Sequence, residues 1–351
     1  KKRKLQKQKP QKQKLKKRKL QKQKPQKQKL KKKKRNKLIK KESNFGPDNY
    51  KPLPVVLSKA KGVWAWDVNE KKYLDMMSGY SAVSHGHAHP ELLRIFHEQS
   101  SKLSLTSRAF YTDTLGPYLE TITKMSGFEV CLPMNSGAEA VETAIKSSRR
   151  WGYRTKGVEP DKAEIIVAEG NFHGRTTTII SFSSDENSRH DFGPHTPGFV
   201  TVKYGCAKSL EAAINENTAA VLIEPIQGEA GIVVPPADYL PEVREICSKH
   251  NVLMILDEIQ SGLGRTGKLF AYEHSHIQPD GLILGKALGG GFMPVSCFLS
   301  SEEVLHWMNP GSHGSTFGGN PLAAALAKRS IELLQEEGLI ENSRIMGDYF
   351  K

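Results

Sequence analysis

Four short runs of branched aliphatic residues constrain the fold of this chain more than any other feature. None of them alternates apolar and polar residues, so each is typical of a strand buried on both faces. Stretches with helical periodicity lie around them, at 138–150, 239–250 and 321–336. Strands that alternate with helices predict an α/β domain with a mostly parallel central sheet. The runs are Ile165–Ala168, Val221–Ile223, Val252–Leu256 and Leu282–Leu284.

Two ionisable residues stand where these predicted strands end. Asp257 directly follows one run, and Lys286 lies 29 residues later, after Leu282–Leu284 and Gly285. In open α/β sheets, ligands and catalytic groups lie at the carboxyl ends of the strands. We therefore expect Asp257 and Lys286 to share one functional site.

The N-terminal segment differs in composition from the rest of the chain. Residues 1–41 contain 24 Lys and Arg and no acidic residue, which leaves 28 basic against 37 acidic residues from Glu42 onward. The segment Lys1–Leu15 recurs unchanged as Lys16–Leu30. Like charges and few apolar residues predict disorder for residues 1–43. Nucleic-acid binding through counterion release is the alternative, but the segment has no aromatic residues to stack on bases, which argues against a nucleic-acid partner.

The four cysteines and the hydropathy pattern bear on location. Cys131, Cys206, Cys247 and Cys297 are widely spaced and accompany no secretory signal, so we expect reduced thiols in an intracellular protein. No apolar run approaches the roughly 20 residues of a membrane helix. The Lys-rich and Gln-rich N-terminus is unlike an Arg-rich, Ser-rich mitochondrial presequence.

Three patterns resemble other sites and are rejected. Gly262–Gly267 reads G-x-G-x-x-G, but the short segment after it leads to Pro279 instead of a long helix, which argues against a dinucleotide site. Gly281–Lys286 has one residue too few for a phosphate-binding P-loop. His85, His87 and His89 alternate without a nearby Cys or H-E-x-x-H motif, so a turn is favoured over a zinc site.

The remaining candidates match the requirements of pyridoxal phosphate, which must be attached covalently, kept protonated at its ring nitrogen, stacked and held by its phosphate. Lys286 can form the Schiff base and transfer protons, and Asp257 can accept the ring N–H. The alternatives are a surface lysine and a helix cap or solvated turn. Three further positions follow: Gly137 and Ala138 at a helix N-terminus for the phosphate, Phe172 for stacking, although a lone aromatic is more often core, and Arg175 for a substrate carboxylate.

Motifs along nearly the whole chain from Asn49 carry a resemblance to the ornithine aminotransferases, which are class III, fold type I pyridoxal-phosphate transaminases. The resemblance implies a large α/β domain with a mostly parallel sheet and a small α+β domain. The matching stretches are NYKPLPVVL (49–57), GYSAVSHGHAHP (79–90), LTSRAFY (105–111), LPMNSGAEAVETAIK (132–146), GNFHGRT (170–176), EPIQGEAGIVVP (224–235), DEIQSGLGRTG (257–267), GKALGGG (285–291) and HGSTFGGNP (313–321).

The resemblance also implies roles for individual residues. Gln260 would donate to the phenolic oxygen of the cofactor, and Thr316 would reach the phosphate of a neighbouring subunit, which implies a homodimer. The substrate residues would be Tyr50 and Arg175 at the α-amino and α-carboxylate groups, with Tyr80 in the pocket wall. Glu229 would pair with a C-terminal arginine in the first half-reaction and release that arginine to bind the oxoacid in the second. A mitochondrial matrix location is favoured by the resemblance, with the cytoplasm as the alternative.

The chain departs from this pattern at two places. It stops at Lys351, where the resemblance leads us to expect a longer small domain that includes the arginine partner of Glu229. The predicted domains are therefore a tail (1–43), an N-terminal part of the small domain (44–84), a large cofactor-binding domain (85–325) and an incomplete C-terminal small domain (326–351). His173 also replaces a different aromatic. Other ω-transaminases, acting on acetylornithine, 4-aminobutyrate or lysine, and an inactive binding protein stay open as alternatives.

Overall fold

A computed structural model describes residues 30–351 of the chain. The described residues divide into two compact units, one that ends at Met76 and one that comprises Met77–Lys351. This boundary lies between those predicted after residues 43 and 84, and the predicted division into domains stays a prediction. Residues 326–351 belong to the second unit, because one helix, Pro321–Glu336, runs through the predicted boundary.

The first unit contains helix α1 (residues 30–45) and a three-stranded antiparallel sheet. Its strands are β1 (Leu57–Lys61), β2 (Trp64–Asp67) and β3 (Lys72–Leu74). Asp67 stabilises the turn between β2 and β3, because its Oδ1 accepts the backbone N–H groups of Asn69 and Lys71 at 2.8 and 2.9 Å. Lys31 Nζ on α1 donates to the backbone oxygen of Asn69 at 2.6 Å.

Helix α1 differs from the disorder predicted for residues 1–43. No Gly or Pro occurs between Pro25 and Gly46, and Lys, Arg and Leu are strong helix formers. Helix propensity therefore outweighs the repulsion among its like charges. The rest of the predicted tail, residues 1–29, lies outside the described residues.

A seven-stranded sheet forms the centre of the second unit, in the order β4-β10-β9-β8-β7-β5-β6. Strands β6, β5, β7, β8 and β9 are mutually parallel, and β10 pairs antiparallel with both β9 and β4. The carboxyl ends of the parallel strands therefore meet at one edge. The strands are β4 (Val130–Met134), β5 (Glu164–Ala168), β6 (Phe199–Val202), β7 (Thr218–Ile223), β8 (Leu253–Asp257), β9 (Gly281–Leu284) and β10 (Ser296–Ser300).

Helices cover both faces of this sheet. The second unit contains α2 (Ser78–Ser81), α3 (Pro90–Lys102), α4 (Leu115–Ser126), α5 (Gly137–Trp151), α6 (Thr177–Ile180), α7 (Glu186–Arg189), α8 (Ala207–Ala213), α9 (Tyr239–Lys249), α10 (Glu302–Leu305), α11 (Pro321–Glu336) and α12 (Leu339–Phe350). Alternate strand residues belong to different cores, as the two-residue strand period requires. Ile255 packs in the core that includes α5, whereas Met254 and Leu256 pack in the core that includes α9 and α11.

The α/β prediction with a mostly parallel sheet is confirmed. All four predicted strands are present, and the predicted helix 138–150 is α5, which is one residue longer at each end. Strands β4, β6 and β10 were missed, because Pro133 interrupts the first and short polar positions interrupt the others. Within residues 30–351, no helix is both long and apolar enough to cross a membrane.

Gly281, at the start of β9, tests how closely the central strands pack. A Cβ there would lie 2.6 Å from Cδ1 of Ile255 and 2.7 Å from Cε2 of Phe298. We expect Gly281→Ala to lower the free energy of unfolding by about 1–3 kcal/mol through overpacking, measured by urea denaturation. Gly347→Ala, on α12 with open space around the new methyl group, is the control and should not destabilise the protein. Equal effects of the two substitutions would contradict this packing.

Candidate functional site

A cavity of about 200 Å³ opens at the edge of the sheet where the parallel strands end. Residues that follow β4, β5, β7, β8 and β9 line it, so the sheet topology brings together positions that are far apart in sequence. Of the predicted site residues, the cavity is lined by Gly137, Ala138, Phe172, Glu229, Asp257, Gln260 and Lys286.

Lys286 projects into this cavity from the turn after β9. It is partly buried and opens the short 3-10 segment Lys286–Gly289, with a φ of 42°. A positive φ is strained for a residue with a Cβ, and such strain clusters at functional positions. Burial lowers the pKa of the Lys286 ammonium below its ordinary value, although the nearby carboxylates of Glu229 and Asp257 oppose this shift. An amine with a lowered pKa is more often neutral and nucleophilic.

Asp257 ends β8 and is only 4% exposed. Its Oδ1 accepts the backbone N–H of Ile259 at 3.0 Å, and its Oδ2 lies 2.7 Å from Nδ1 of His173. Both oxygens therefore have fixed partners. Burying an unpaired carboxylate would be costly, and these two contacts offset part of that cost.

His173 and Glu224 belong to the site but were not predicted as site residues. The His173 imidazole is fully buried; burial lowers its pKa, but the hydrogen bond and charge of Asp257 outweigh this and raise it. Glu224 follows β7 and accepts the backbone N–H groups of Phe172 and Gly228 at 3.0 and 3.4 Å. Burial raises the pKa of Glu224 to about 7. Two features of the sequence could have indicated these residues. His173 stands where the resemblance leads us to expect a different aromatic residue, and Glu224 directly follows a predicted strand.

The N-terminus of α5 forms another wall of the cavity. Ser136 caps this helix, because its Oγ accepts the N–H of Glu139 while the Glu139 carboxylate accepts the N–H of Ser136. The amides of Gly137 and Ala138 belong to the first turn, where unpaired N–H groups and the helix dipole favour an anion. A Cβ on Gly137 would lie 2.8 Å from Cδ1 of Ile259, so this close approach favours glycine.

Two further polar groups lie near the mouth of the cavity. Gln260 Nε2 donates to Oε1 of Glu229 at 3.0 Å, so both side chains already have a partner in this structure. The Arg175 guanidinium carbon lies 5.6 Å from the centre of the Phe172 ring. Arg175 is exposed and does not line the cavity itself, although Phe172 does.

Like Arg175, two further predicted residues of the second unit, Tyr80 and Thr316, do not line this cavity. Tyr80 is 55% exposed and has a φ of 56°, and Thr316 is exposed on the segment before α11. Tyr50 belongs to the first unit and is 71% exposed. Their roles stay predictions.

The rejected patterns have the following local structures. Turns occupy Gly262–Gly267, and no helix opens there. His85 Nε2 lies 2.9 Å from the backbone oxygen of Ser330, and His89 contacts Glu337. Across residues 30–351, no group of three or more His, Cys, Asp and Glu side chains is arranged to hold a metal ion.

A larger cleft, of about 430 Å³, lies at the opposite edge, beside the amino ends of β8 and β9. Its charged groups have partners: Arg244 pairs with Asp280 at 2.7 Å, and Glu303 accepts from the Trp151 indole at 3.1 Å.

The first cavity fits pyridoxal phosphate. It combines a partly buried lysine for covalent attachment, a buried carboxylate for the ring nitrogen, a helix N-terminus for the phosphate and an aromatic ring for stacking. These groups come from four strand ends and converge on one space of suitable size.

Comparisons with known proteins agree with this geometry. Residues 45–351 match the sequence profile of the family described as Aminotransferase class-III. Ornithine aminotransferase 2 of Staphylococcus saprophyticus is 54% identical over 315 residues, which cover 90% of this chain and 80% of that relative.

Solved structures give the same result. An ornithine aminotransferase from Toxoplasma gondii, with partial occupancy of PLP at its active site, superposes with a TM-score of 0.89 at 42% identity and covers 90% of this chain and 74% of that one. An acetylornithine aminotransferase from Elizabethkingia anophelis gives 0.81 at 47% identity, with coverage of 90% and 77%. The chain therefore belongs to the class III aminotransferases, which are pyridoxal-phosphate-dependent enzymes.

Proposed function

We propose that this aminotransferase transfers the δ-amino group of L-ornithine to 2-oxoglutarate, giving glutamate 5-semialdehyde and glutamate. The observation that carries the proposal is the convergence of Lys286 and buried Asp257 on one cavity, in a chain 54% identical to an ornithine aminotransferase. The small-molecule substrates are an amino acid and a 2-oxo acid, which exchange one amino group.

Bound pyridoxal phosphate would supply an electron sink for the electrons released at the reacting carbon. In this proposal, Lys286 Nζ would hold the cofactor covalently and would act as the general base and acid that moves a proton at the reacting carbon of the substrate. Asp257 would keep the ring nitrogen protonated. The first-turn amides of Gly137 and Ala138 would hold the phosphate, Phe172 would stack on the ring, and Gln260 would donate to the phenolic oxygen.

The substrate is oriented by its α-groups in this proposal. Arg175 binds the α-carboxylate of ornithine with two parallel hydrogen bonds, which places the δ-amine toward Lys286. Glu229 is exposed beside Gln260. We propose that it pairs with an arginine in the first half-reaction and releases that arginine to the oxoacid in the second. Contributions from Tyr50 and Tyr80 rest on the resemblance alone.

N-Acetylornithine is the second candidate substrate, favoured by the 47% identity to an acetylornithine aminotransferase. Both amines carry the α-carboxylate that Arg175 would bind, but they differ in charge at the α-nitrogen. Rates of the first half-reaction with the two amines separate these candidates; 4-aminobutyrate and lysine complete the series.

Assembly and location also belong to the proposal. A homodimer, in which Thr316 reaches the partner's phosphate, follows from the resemblance and from the exposure of Thr316. The predicted mitochondrial location lacks support, because the relatives with 53% and 54% identity are bacterial proteins. The same relatives favour the cytoplasm.

Covalent trapping tests the assignment of Lys286. After pyridoxal phosphate is added, borohydride reduction should fix it to the peptide that contains Lys286, as identified by mass spectrometry. Lys286→Ala should lose this label, while Lys268→Ala, at an exposed lysine in the neighbouring loop, should keep it. A label on another lysine in the unsubstituted protein would overturn the assignment.

The lowered pKa of Lys286 predicts how covalent attachment depends on pH. Because the neutral amine attacks the aldehyde, the rate of attachment to cofactor-free protein should rise with pH and level off below the ordinary lysine pKa. Stopped-flow absorbance measures this rate. A rate that levels off at or above the ordinary value would show that burial does not control this amine.

Arg175→Lys tests the proposed grip on the α-carboxylate. Lysine cannot form the bidentate pair, so kcat/KM for L-ornithine should fall about 10-fold to 100-fold. The matched substrate control is 1,4-diaminobutane, which lacks the carboxylate and should react at the same rate with both proteins. Equal losses with the two amines would contradict a carboxylate-binding role.

A further inference from the structure

We propose that His173 is a positioning residue, whose imidazole holds the Asp257 carboxylate in the orientation in which it meets the ring nitrogen of the cofactor. The inference deepens the proposed function and depends on it. It concerns a residue that was noticed in the sequence only because it replaces a different aromatic.

The geometry around Asp257 supports this role. The carboxylate has one oxygen held by the Ile259 amide and the other by Nδ1 of His173, which lies 2.7 Å away. The amide belongs to the same turn as Asp257 and constrains one oxygen only. His173 comes from the segment after β5, so it fixes the rotation of the carboxylate from a second element of the fold.

Burial makes this contact strong. The side chains of His173 and Asp257 are 0% and 4% exposed, so water does not compete for the hydrogen bond. An ionised carboxylate only accepts hydrogen bonds, so Nδ1 is the donor in this pair. Hydrogen bonds to a charged partner are shorter and stronger than neutral ones.

The second ring nitrogen of His173, Nε2, indicates that this residue does more than fill space in the core. Among the described residues, Nε2 is buried and has no hydrogen-bond partner. The ring also lies 6.1 Å from the ring of Phe182, between centroids, in the apolar core. An apolar side chain would fill this space without leaving a polar atom unsatisfied. The compensating gain is the bond from Nδ1 to Asp257.

The charges around the cavity also support a positioning role for His173. Asp257, Glu224 and Glu229 bring three carboxyl groups near Lys286. Both Asp257 and Glu224 act on His173, and their charges favour the protonated imidazole. A positive charge on the imidazole also strengthens the hydrogen bond by which His173 holds the Asp257 carboxylate.

Two substitutions with the same amide group separate positioning from packing. His173→Asn places an N–H near the position of Nδ1, whereas His173→Gln places it near the unpartnered Nε2. Titration of cofactor-free protein with pyridoxal phosphate, followed by absorbance, gives the dissociation constant. We expect His173→Gln to weaken binding about 10-fold to 100-fold and His173→Asn to stay within about threefold of the unsubstituted protein.

A double-mutant cycle tests whether His173 acts through Asp257. In an Asp257→Asn background, His173→Gln should change the dissociation constant little, because the carboxylate that it positions is gone. Thermal unfolding of each cofactor-free variant shows whether it is folded. Visible circular dichroism of the bound cofactor should decrease in His173→Gln and be retained in His173→Asn, since it reports the orientation of the ring.

Three results would overturn the inference. Equal weakening by Asn and Gln would show that the shape of the imidazole matters and the donor does not. Unchanged binding in His173→Gln, or the same loss with and without Asp257, would remove the link between the two residues. An unsubstituted protein that forms no covalent adduct at Lys286 would instead overturn the proposed function on which the inference rests.

Discussion

The site depends on one constraint: a parallel sheet that is covered on both faces leaves its strand ends as the place where polar groups can gather. Strands β5, β7, β8 and β9 are apolar throughout their cores, and the chain becomes polar where each one ends. Asp257 and Lys286 follow adjacent strands and therefore meet, although 29 residues separate them. The hydrophobic cores on the two faces hold this edge in place.

Electrostatics at this edge follow from burial. Asp257 can remain buried because the Ile259 amide and His173 satisfy its two oxygens. Glu224 has two amide partners, but burial still raises its pKa to about 7. The same loss of water lowers the pKa of Lys286, because burial favours the neutral amine over the ammonium. Both shifts favour the neutral form of the group.

The sequence predicted the parts of this arrangement that depend on local pattern. Lys286 and Asp257 were found because they follow uninterrupted apolar runs, and α5 because its apolar residues recur with helical period. His173 and Glu224 were not, because their roles depend on which strand ends become neighbours. Helix α1 was missed because composition alone does not show when helix propensity outweighs charge repulsion. Strand β4 was missed because Pro133 interrupts its apolar run.

We propose that the Asp257 carboxylate would keep the ring nitrogen of the bound cofactor protonated while Lys286 holds its aldehyde carbon. Nitrogen-15 NMR of the protein loaded with pyridoxal phosphate labelled at the ring nitrogen measures that protonation directly. We expect a chemical shift typical of a protonated pyridine at neutral pH, and we expect it to be lost when Asp257 is replaced by Ala. An unprotonated ring nitrogen in the unsubstituted protein, or a protonated one that is indifferent to Asp257, would contradict it.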